Sequence, residues 1–381
     1  MNLYEERSKL FADTAMLHEP DRVPIMSWLE TFAVGYAGKT YDDFKGDIDK
    51  EIEIYSKVHN DICFDGIKFF GFSMILEMYE PLGASSYFVS SDGVTMQHRE
   101  LCDMREDEYA AFIEDPLAYI DNVFLTRKYP NLSLPYPQNK EAMKKSLEAV
   151  LARNAGKKKV DTHLREVLQM PVCTIGSTNI TPADLIFDFL RGFKETLNDM
   201  RRRPKLLKQA IDALTPFAIN RLPAGPLSSF PFVNFSLHCP TYISPKQFET
   251  LYFDAFKEMV MTVHERGGKA CLTCEGNWMP FYDFLLEMPK GSLILLLDKD
   301  DIFETKKRVG HACTIGGGMS RNMLKYSSKQ ECLDYAKRLL DECAPGGGYI
   351  FSTDGDLLST NDVQIENLKA VNEYVYNNGR Y

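Results

Sequence analysis

Residues 267–276, Gly-Gly-Lys-Ala-Cys-Leu-Thr-Cys-Glu-Gly, contain a complete transition from helix to strand to loop. The two glycines end the amphipathic helix that begins after Ser244-Pro245, because glycine adopts the left-handed conformation at a helix C-terminus without strain. The run 269–273 is nearly all apolar, which is typical of a parallel strand covered on both faces. Glu275 then follows the strand. This stretch predicts one unit of an alternating α/β fold with a carboxylate at the carboxyl end of its strand.

The same unit recurs along the chain. Capping sequences at Thr181-Pro182, Ser244-Pro245 and Ser328-Lys329 mark the starts of helices. Eight strands that alternate with helices predict a single (β/α)8 TIM barrel with N-terminal helices, forming one domain over residues 1–381. The charged, weakly patterned region 90–170 is predicted to be a helical insertion or a lid over the barrel mouth. The eight apolar runs that predict strands are 23–28, 66–70, 171–175, 232–237, 269–273, 293–297, 312–315 and 349–352.

Composition excludes several classes of function. The 381 residues include 44 basic and 54 acidic side chains, and the net charge of −10 argues against a nucleic-acid partner. No apolar run approaches the roughly 18 residues of a membrane span. The N-terminus resembles neither a signal nor a transit peptide, and the nine cysteines are scattered and odd in number. These features predict a cytoplasmic protein with reduced thiols.

Catalytic residues of a TIM barrel lie where its strands end. Within the strand that precedes Glu275, side chains alternate between faces, so Thr273 and Glu275 share a face, whereas Cys271 and Cys274 point to opposite faces and cannot share one ion. We expect Glu275 to point to the barrel mouth and Cys274 to point towards the helices. The strand-end positions are Trp28, Glu30, Lys68, Ser177, Asn179, His238, Glu275, Trp278, Asp298, Met319, Arg321, Asp354 and Asp356.

Several short motifs, each weak alone, occur in an order that suggests a family. They are Asp21-Arg22-Val23-Pro24, residues 171–176 before Thr181-Pro182, Ile243-Ser244-Pro245, residues 267–269 before Glu275-Gly276, Ile315-Gly316-Gly317, and residues 348–352 before 366–369. In these motifs the chain resembles the uroporphyrinogen decarboxylase superfamily. Within that superfamily it resembles the corrinoid-dependent methyltransferase branch of methyltransferase I and O-demethylase type. The resemblance implies a single (β/α)8 barrel.

Departures from the family pattern bear on the reaction. True uroporphyrinogen decarboxylases grip an acidic substrate with an Arg-Gln-Ala-Gly stretch, but residues 26–31 contain no arginine. The Phe-Ser-Asp segment of the decarboxylases corresponds to residues 68–74 of this chain, which contain no aspartate. Without cationic clamps an acidic protein would repel the porphyrinogen. The sequence therefore argues against decarboxylation of uroporphyrinogen.

The thiol-methylating relatives bind zinc through His-x-Cys and a later cysteine. This chain has Thr273-Cys274-Glu275 at the first position and residues 353–356, Thr-Asp-Gly-Asp, at the second. We predict no metal ligands, although Glu275 alone leaves zinc binding open. Because zinc activates a thiol by making it a thiolate, these replacements argue against methyl transfer to a thiol.

The resemblance then implies the opposite half-reaction, in which a methyl group passes from a methyl ether, with an aromatic methoxy group as the favoured case, to Co(I). The chain lacks the Asp-x-His-x-x-Gly signature for cobalamin, so the corrinoid would be carried by a separate corrinoid protein. The predicted catalytic residues, which assist the leaving oxygen, are His238, Glu275, Asp298 and Asp354. The predicted substrate-binding residues are Trp28, Glu30, Lys68, Asn179, Trp278, Met319 and Arg321.

Two other functions stay open. A lyase that decarboxylates a smaller acid would need a cationic anchor, for which Lys68, Arg191 and Arg321 are the candidates. A barrel that binds a corrinoid protein or a tetrapyrrole without chemistry is the third hypothesis. The sequence also leaves a homodimer open.

Overall fold

The computed structural model describes residues 2–72, 74–84 and 86–381, without the side chain of Ser177. The predicted strand-end side chain of Ser177 therefore lies outside the described part of the chain. Within that part the strands are β1 Met26–Ser27, β2 Gly66–Ile67, β3 Tyr87–Val89, β4 Met96–His98, β5 Thr174–Asn179, β6 Phe232–Leu237, β7 Ala270–Cys274, β8 Leu293–Leu297, β9 Thr314–Met319 and β10 Tyr349–Thr353.

Eight parallel strands form a ring. Strands β5 to β10 make one parallel sheet in chain order, and β1 pairs with β2. Parallel bridges close the ring on both sides, with Ile67 against Val172 joining β2 to the start of β5, and Ile25 against Phe351 joining β1 to β10. The predicted α/β barrel is thereby confirmed, and the carboxyl ends of all eight strands open at one mouth.

The strand bounds differ from the predicted ones where polar or glycine residues take part. Strand β5 continues to Asn179, and β9 includes Gly316–Gly318, which pair with β10. An apolar run marks only the fully buried part of a strand, so polar residues that approach the mouth and glycines without a side chain are missed. Strands β1 and β2 are conversely shorter than their apolar runs.

Helices cover the outside of the ring. Thr181, Ser244 and Ser328 cap helices as predicted, and the last two form capping boxes with Gln247 and Glu331. The α-helices of the described residues are α1 Leu3–Ala15, α2 Phe32–Tyr36, α3 Ile48–Asp61, α4 Leu76–Tyr79, α5 Tyr109–Glu114, α6 Pro116–Tyr119, α7 Leu125–Lys128, α8 Gln138–His163, α9 Pro182–Leu185, α10 Gly192–Arg202, α11 Pro204–Asn220, α12 Pro245–Gln247, α13 Phe253–Glu265, α14 Tyr282–Leu285, α15 Ile302–Val309, α16 Arg321–Tyr326, α17 Lys329–Cys343 and α18 Ile365–Asn378. Short 3₁₀ turns are Tyr41–Asp43, Glu80–Leu82, Glu106–Glu108, Pro130–Ser133, Cys239–Tyr242, Met279–Phe281 and Thr360–Asp362, and π turns are Ile120–Phe124, Leu164–Leu168, Ile186–Leu190 and Phe248–Tyr252.

The predicted insertion over residues 90–170 is largely helical, but an antiparallel hairpin of β3 and β4 extends into its start. His98 at the end of β4 lies beside Phe189, with ring centroids 6.2 Å apart. Phe189 belongs to the π turn that follows α9, so the hairpin reaches the neighbourhood of the mouth. None of the helices among the described residues has the length and apolar character needed to span a membrane.

Two apolar clusters separate the inside of the barrel from its helical layer. Cys271 belongs to the inner cluster, while Cys274 packs in the outer one, as the alternation predicted. Helix α1 contributes Phe11 and Ala15 to the inner cluster. The other buried members of the inner cluster are Met26, Trp28, Cys173, Phe232, Ile294, Leu296 and Ile350.

A buried ion pair fastens the segment before β1 to the segment before β2. Asp65 is fully buried; it accepts hydrogen bonds from the Arg22 guanidinium and, at 2.9 Å, from the backbone N–H of Ile25. The pair therefore helps to position the two shortest barrel strands.

We expect Asp65→Ala to lower the free energy of unfolding by about 3–5 kcal/mol, because it leaves the Arg22 charge buried without its partner. Urea unfolding measures the change. Asp341→Ala, which breaks an exposed pair with Lys337, is the control and should leave the unfolding midpoint unchanged. Equal midpoints for the two variants would contradict this role for Asp65.

Candidate active site

His238 lies at the carboxyl end of β6 between two carboxylates. Its Nδ1 is 2.8 Å from Asp188 Oδ2, and its Nε2 is 3.3 Å from Glu275 Oε1. The Glu275 side chain is about half exposed, at 51%, so this chain of three groups faces solvent at the mouth. Burial lowers the pKa of His238, but the hydrogen bonds and charges of Asp188 and Glu275 outweigh it and raise the pKa to about 11. The ring is therefore an imidazolium at neutral pH.

Asp184 positions the His238 backbone. This buried carboxylate accepts the backbone N–H groups of His238 and Cys239 at 3.0 and 2.7 Å, and the hydroxyls of Thr181 and Tyr252 at 2.7 and 2.6 Å. Burial raises its pKa. Asp184 and Asp188 lie four residues apart just after the Thr181 cap, so one helix start supplies both groups that hold His238.

Lys68 follows β2 and lies inside the barrel below the mouth, only 1% exposed. Its Nζ donates to Thr273 Oγ1 at 2.9 Å and lies 3.8 Å from the centre of the Trp28 ring. The ring face stabilises the ammonium through a cation–π interaction. Thr273 therefore points into the barrel, as the alternation along β7 predicted.

Acidic groups on or after three other strands act on Lys68 through their charges. Burial lowers the pKa of Lys68, while the charges of Cys271, Asp356, Glu275 and Glu30 oppose that shift. Burial, followed by the charge of Glu30, raises the pKa of Asp356. The backbone N–H of Glu30 donates to Leu357 O at 3.1 Å, which brings the loops after β1 and β10 together.

Arg321 joins the ends of β8, β9 and β10. Its Nε donates to Asp354 Oδ1 at 3.0 Å, one terminal nitrogen donates to Asp298 Oδ1 at 3.2 Å, and the other donates to Asp356 O at 3.0 Å. Asp298 also accepts the backbone N–H of Gly276 at 3.0 Å. Asp298 and Asp354, predicted as catalytic acids, are thus committed to Arg321 and to loop backbone, because a guanidinium at converging strand ends recruits both carboxylates.

Three predicted substrate-binding residues are not presented at the mouth. Trp278 and Met319 are fully buried in the outer apolar cluster, and the Trp278 indole N–H donates to Glu275 O at 3.0 Å. Asn179 is buried and donates to Asn234 O at 2.9 Å, where the register between β5 and β6 shifts. Strand-end position alone does not reveal which side chains turn away from the opening.

Of the predicted residues, His238 and Glu275 lie at the mouth, Trp28 and Lys68 lie inside the barrel below it, and Glu30 lies after β1 against Leu357. Sequence reasoning missed Asp184 and Asp188 as partners of His238. The available signal was two acids at i and i+4 directly after a capped helix start that follows a strand, which places both near the carboxyl end of the barrel.

The residues at the family's zinc positions do not fit zinc. Thr273 is hydrogen-bonded to Lys68, Glu275 Oε1 lies 3.3 Å from His238 Nε2, and Asp354 is paired with Arg321. Among the described residues no group of three His, Cys, Asp or Glu side chains is arranged to hold a metal ion.

We expect His238 to keep its proton well above neutral pH in the wild-type protein and Asp188→Asn to lower its pKa, because the variant removes one negative partner. Heteronuclear NMR titration of the histidine rings measures this. His59 is the internal control, since its ring is fully buried and burial lowers its pKa to about 4, so its titration should not move. A wild-type His238 that titrates near its ordinary pKa of about 6.5 would contradict the assignment.

Comparisons with known proteins support the family. The sequence profile described as uroporphyrinogen decarboxylase (URO-D) matches residues 140–377, more than half of the chain. A solved structure described as a methyltransferase from Methanosarcina mazei has a similar fold, with a TM-score of 0.64 and 13% sequence identity over 97% of this chain and 98% of that one. No curated protein matches in a sequence comparison. The chain belongs to the uroporphyrinogen decarboxylase family, as its motifs predicted.

Proposed function

We propose that the protein is a methyltransferase that moves a methyl group from a methyl ether, such as an aromatic methoxy compound, to the Co(I) of a separate corrinoid protein. Membership of the decarboxylase family and the fold shared with a methyltransferase support the reaction class. The missing arginine clamps in residues 26–31 argue against the family's porphyrinogen substrate.

The Asp188–His238–Glu275 chain at the mouth is the observation that carries the proposal. An ether oxygen is a poor leaving group unless the charge that develops on it is neutralised. The His238 imidazolium provides a fixed positive charge beside the half-exposed Glu275, where a donor molecule can enter. Trp28 and Lys68 lie deeper in the same opening.

The replaced zinc positions are consistent with Co(I) as the acceptor. A thiol acceptor needs a metal to become a thiolate near neutral pH, and Thr273 and Asp354 are engaged by Lys68 and Arg321 instead. Co(I) is itself a strong nucleophile. The corrinoid is therefore a substrate delivered by its carrier protein.

Decarboxylation of a smaller acid is the second candidate, and Lys68 is the observation that favours it. Of the three predicted anchors, Arg191 is buried against Asp199 and Met104 O, and Arg321 is bound to Asp298 and Asp354. Lys68 has no carboxylate within ion-pair distance among the described residues and could hold one substrate carboxylate.

Purified protein, cob(I)alamin and a methoxyarene should yield methylcobalamin, which is followed by its absorption spectrum. We expect His238→Gln and Glu275→Gln each to lower the rate by roughly 10²-fold, the typical loss when one preorganised group at a site of developing charge is removed. Glu287→Gln, at an exposed pair with Lys257, is the matched control and should retain the wild-type rate.

Carbon dioxide released from small carboxylic acids without methyl transfer would favour the lyase instead. Unchanged methyl-transfer rates in both His238→Gln and Glu275→Gln would contradict the role proposed for these two residues in methyl transfer. Binding of a corrinoid protein without methyl transfer and without carbon dioxide release would favour the non-catalytic hypothesis.

A further inference from the structure

The Lys68 ammonium makes fewer hydrogen bonds within the described part of the chain than it has N–H donors. Within the described part of the chain its one hydrogen-bond acceptor is Thr273 Oγ1, at 2.9 Å, and the Trp28 ring covers another side of it. An ammonium carries three N–H donors. Two of them therefore have no hydrogen-bond acceptor within the described part of the chain.

The other cations at the mouth are committed. The two ring nitrogens of His238 face Asp188 and Glu275, which hold its proton firmly and raise its pKa to about 11. Arg321 bonds to Asp298, Asp354 and the Asp356 carbonyl, and a guanidinium does not release a proton in proteins. Neither group is suited to giving a proton to a leaving oxygen.

The surroundings of Lys68 favour release of its proton. Four acidic groups act on Lys68 through their charges, namely Cys271 from β7, Glu275 after β7, Glu30 after β1 and Asp356 after β10. Burial outweighs their attraction and lowers the pKa of Lys68. A general acid works best when its pKa lies near the operating pH. Asp356 Oδ1 is buried and has no hydrogen-bond partner among the described residues, and its charge is among those that act on Lys68.

We propose that Lys68 is the catalytic acid of the methyl-transfer reaction, donating a proton from Nζ to the ether oxygen as it leaves. The inference rests on the proposed function. The electron pair of Co(I) forms the bond to the methyl carbon, and the methyl–oxygen bond breaks with its electron pair on oxygen. That oxygen takes the Lys68 proton. The products are methyl-Co(III) and a neutral alcohol or phenol, and the Lys68 amine regains a proton from water.

The dependence of the rate on the leaving group tests this role. Lys68→Met and the wild-type protein are compared in methyl transfer to cob(I)alamin from anisole and from 4-nitroanisole. Phenol is a far weaker acid than 4-nitrophenol, so it needs the proton more. We expect Lys68→Met to lose roughly 10²–10⁴-fold with anisole, the range typical of general acid catalysis, and far less with 4-nitroanisole.

Two further variants separate proton donation from charge and from structure. Lys68→Arg keeps the positive charge but not a removable proton, so it should show the same leaving-group dependence as Lys68→Met. Lys269→Met is the matched control, because Lys269 is a buried lysine bonded to Gly291 O at the opposite, amino end of β7. It should keep the wild-type ratio of the two rates.

The outcomes are distinct. An equal loss for both donors in Lys68→Met, or full activity in Lys68→Arg, overturns the catalytic-acid assignment while leaving the proposed function standing. No methyl transfer from either donor by the wild-type protein overturns the proposed function and this assignment together. The pH dependence of the wild-type rate with anisole is a further readout. A fall in that rate at an alkaline pH that is still below the ordinary lysine pKa, together with no such fall in Lys68→Met, supports the assignment.

Discussion

Closure of eight parallel strands into one ring makes all their carboxyl ends open at the same edge, and the candidate site depends on this geometry. Residues that are more than 200 positions apart, such as Lys68 and Thr273, come within hydrogen-bonding distance because β2 and β7 face each other across the barrel. The buried Arg22–Asp65 pair contributes by fixing the segments that lead into β1 and β2, where the ring has only two paired residues per strand.

The positively charged side chains of the site differ in how many of their hydrogen-bond donors are engaged by other residues. Arg321 gathers the carboxylates of Asp298 and Asp354, which ties three consecutive strand ends together. His238 is held through both ring nitrogens. Lys68 is buried on Trp28 with a single hydrogen bond. The physical consequence is that carboxylates balance the charges of His238 and Arg321 at the opening, whereas Lys68 at its base has no carboxylate within ion-pair distance among the described residues.

Much of the fold and part of the site could be predicted from sequence. Apolar runs located the eight barrel strands, and the alternation along β7 placed Thr273 inside the barrel and Cys274 outside it. The partners of individual side chains could not be predicted in this way, because alternation along a strand fixes the face to which a side chain points but not the residue that it contacts. The commitment of Asp354 to Arg321 and the burial of Trp278 both depend on loops whose paths no local pattern specifies.

The central claim is that the barrel mouth transfers a methyl group rather than releasing carbon dioxide. Incubation with cob(I)alamin and anisole carrying a ¹³C-labelled methyl group, followed by NMR of the corrinoid, tests it most directly. We expect the label to appear on cobalt and unlabelled phenol to accumulate. Label that stays in the ether, while a small carboxylic acid supplied to the same protein loses carbon dioxide, would contradict it.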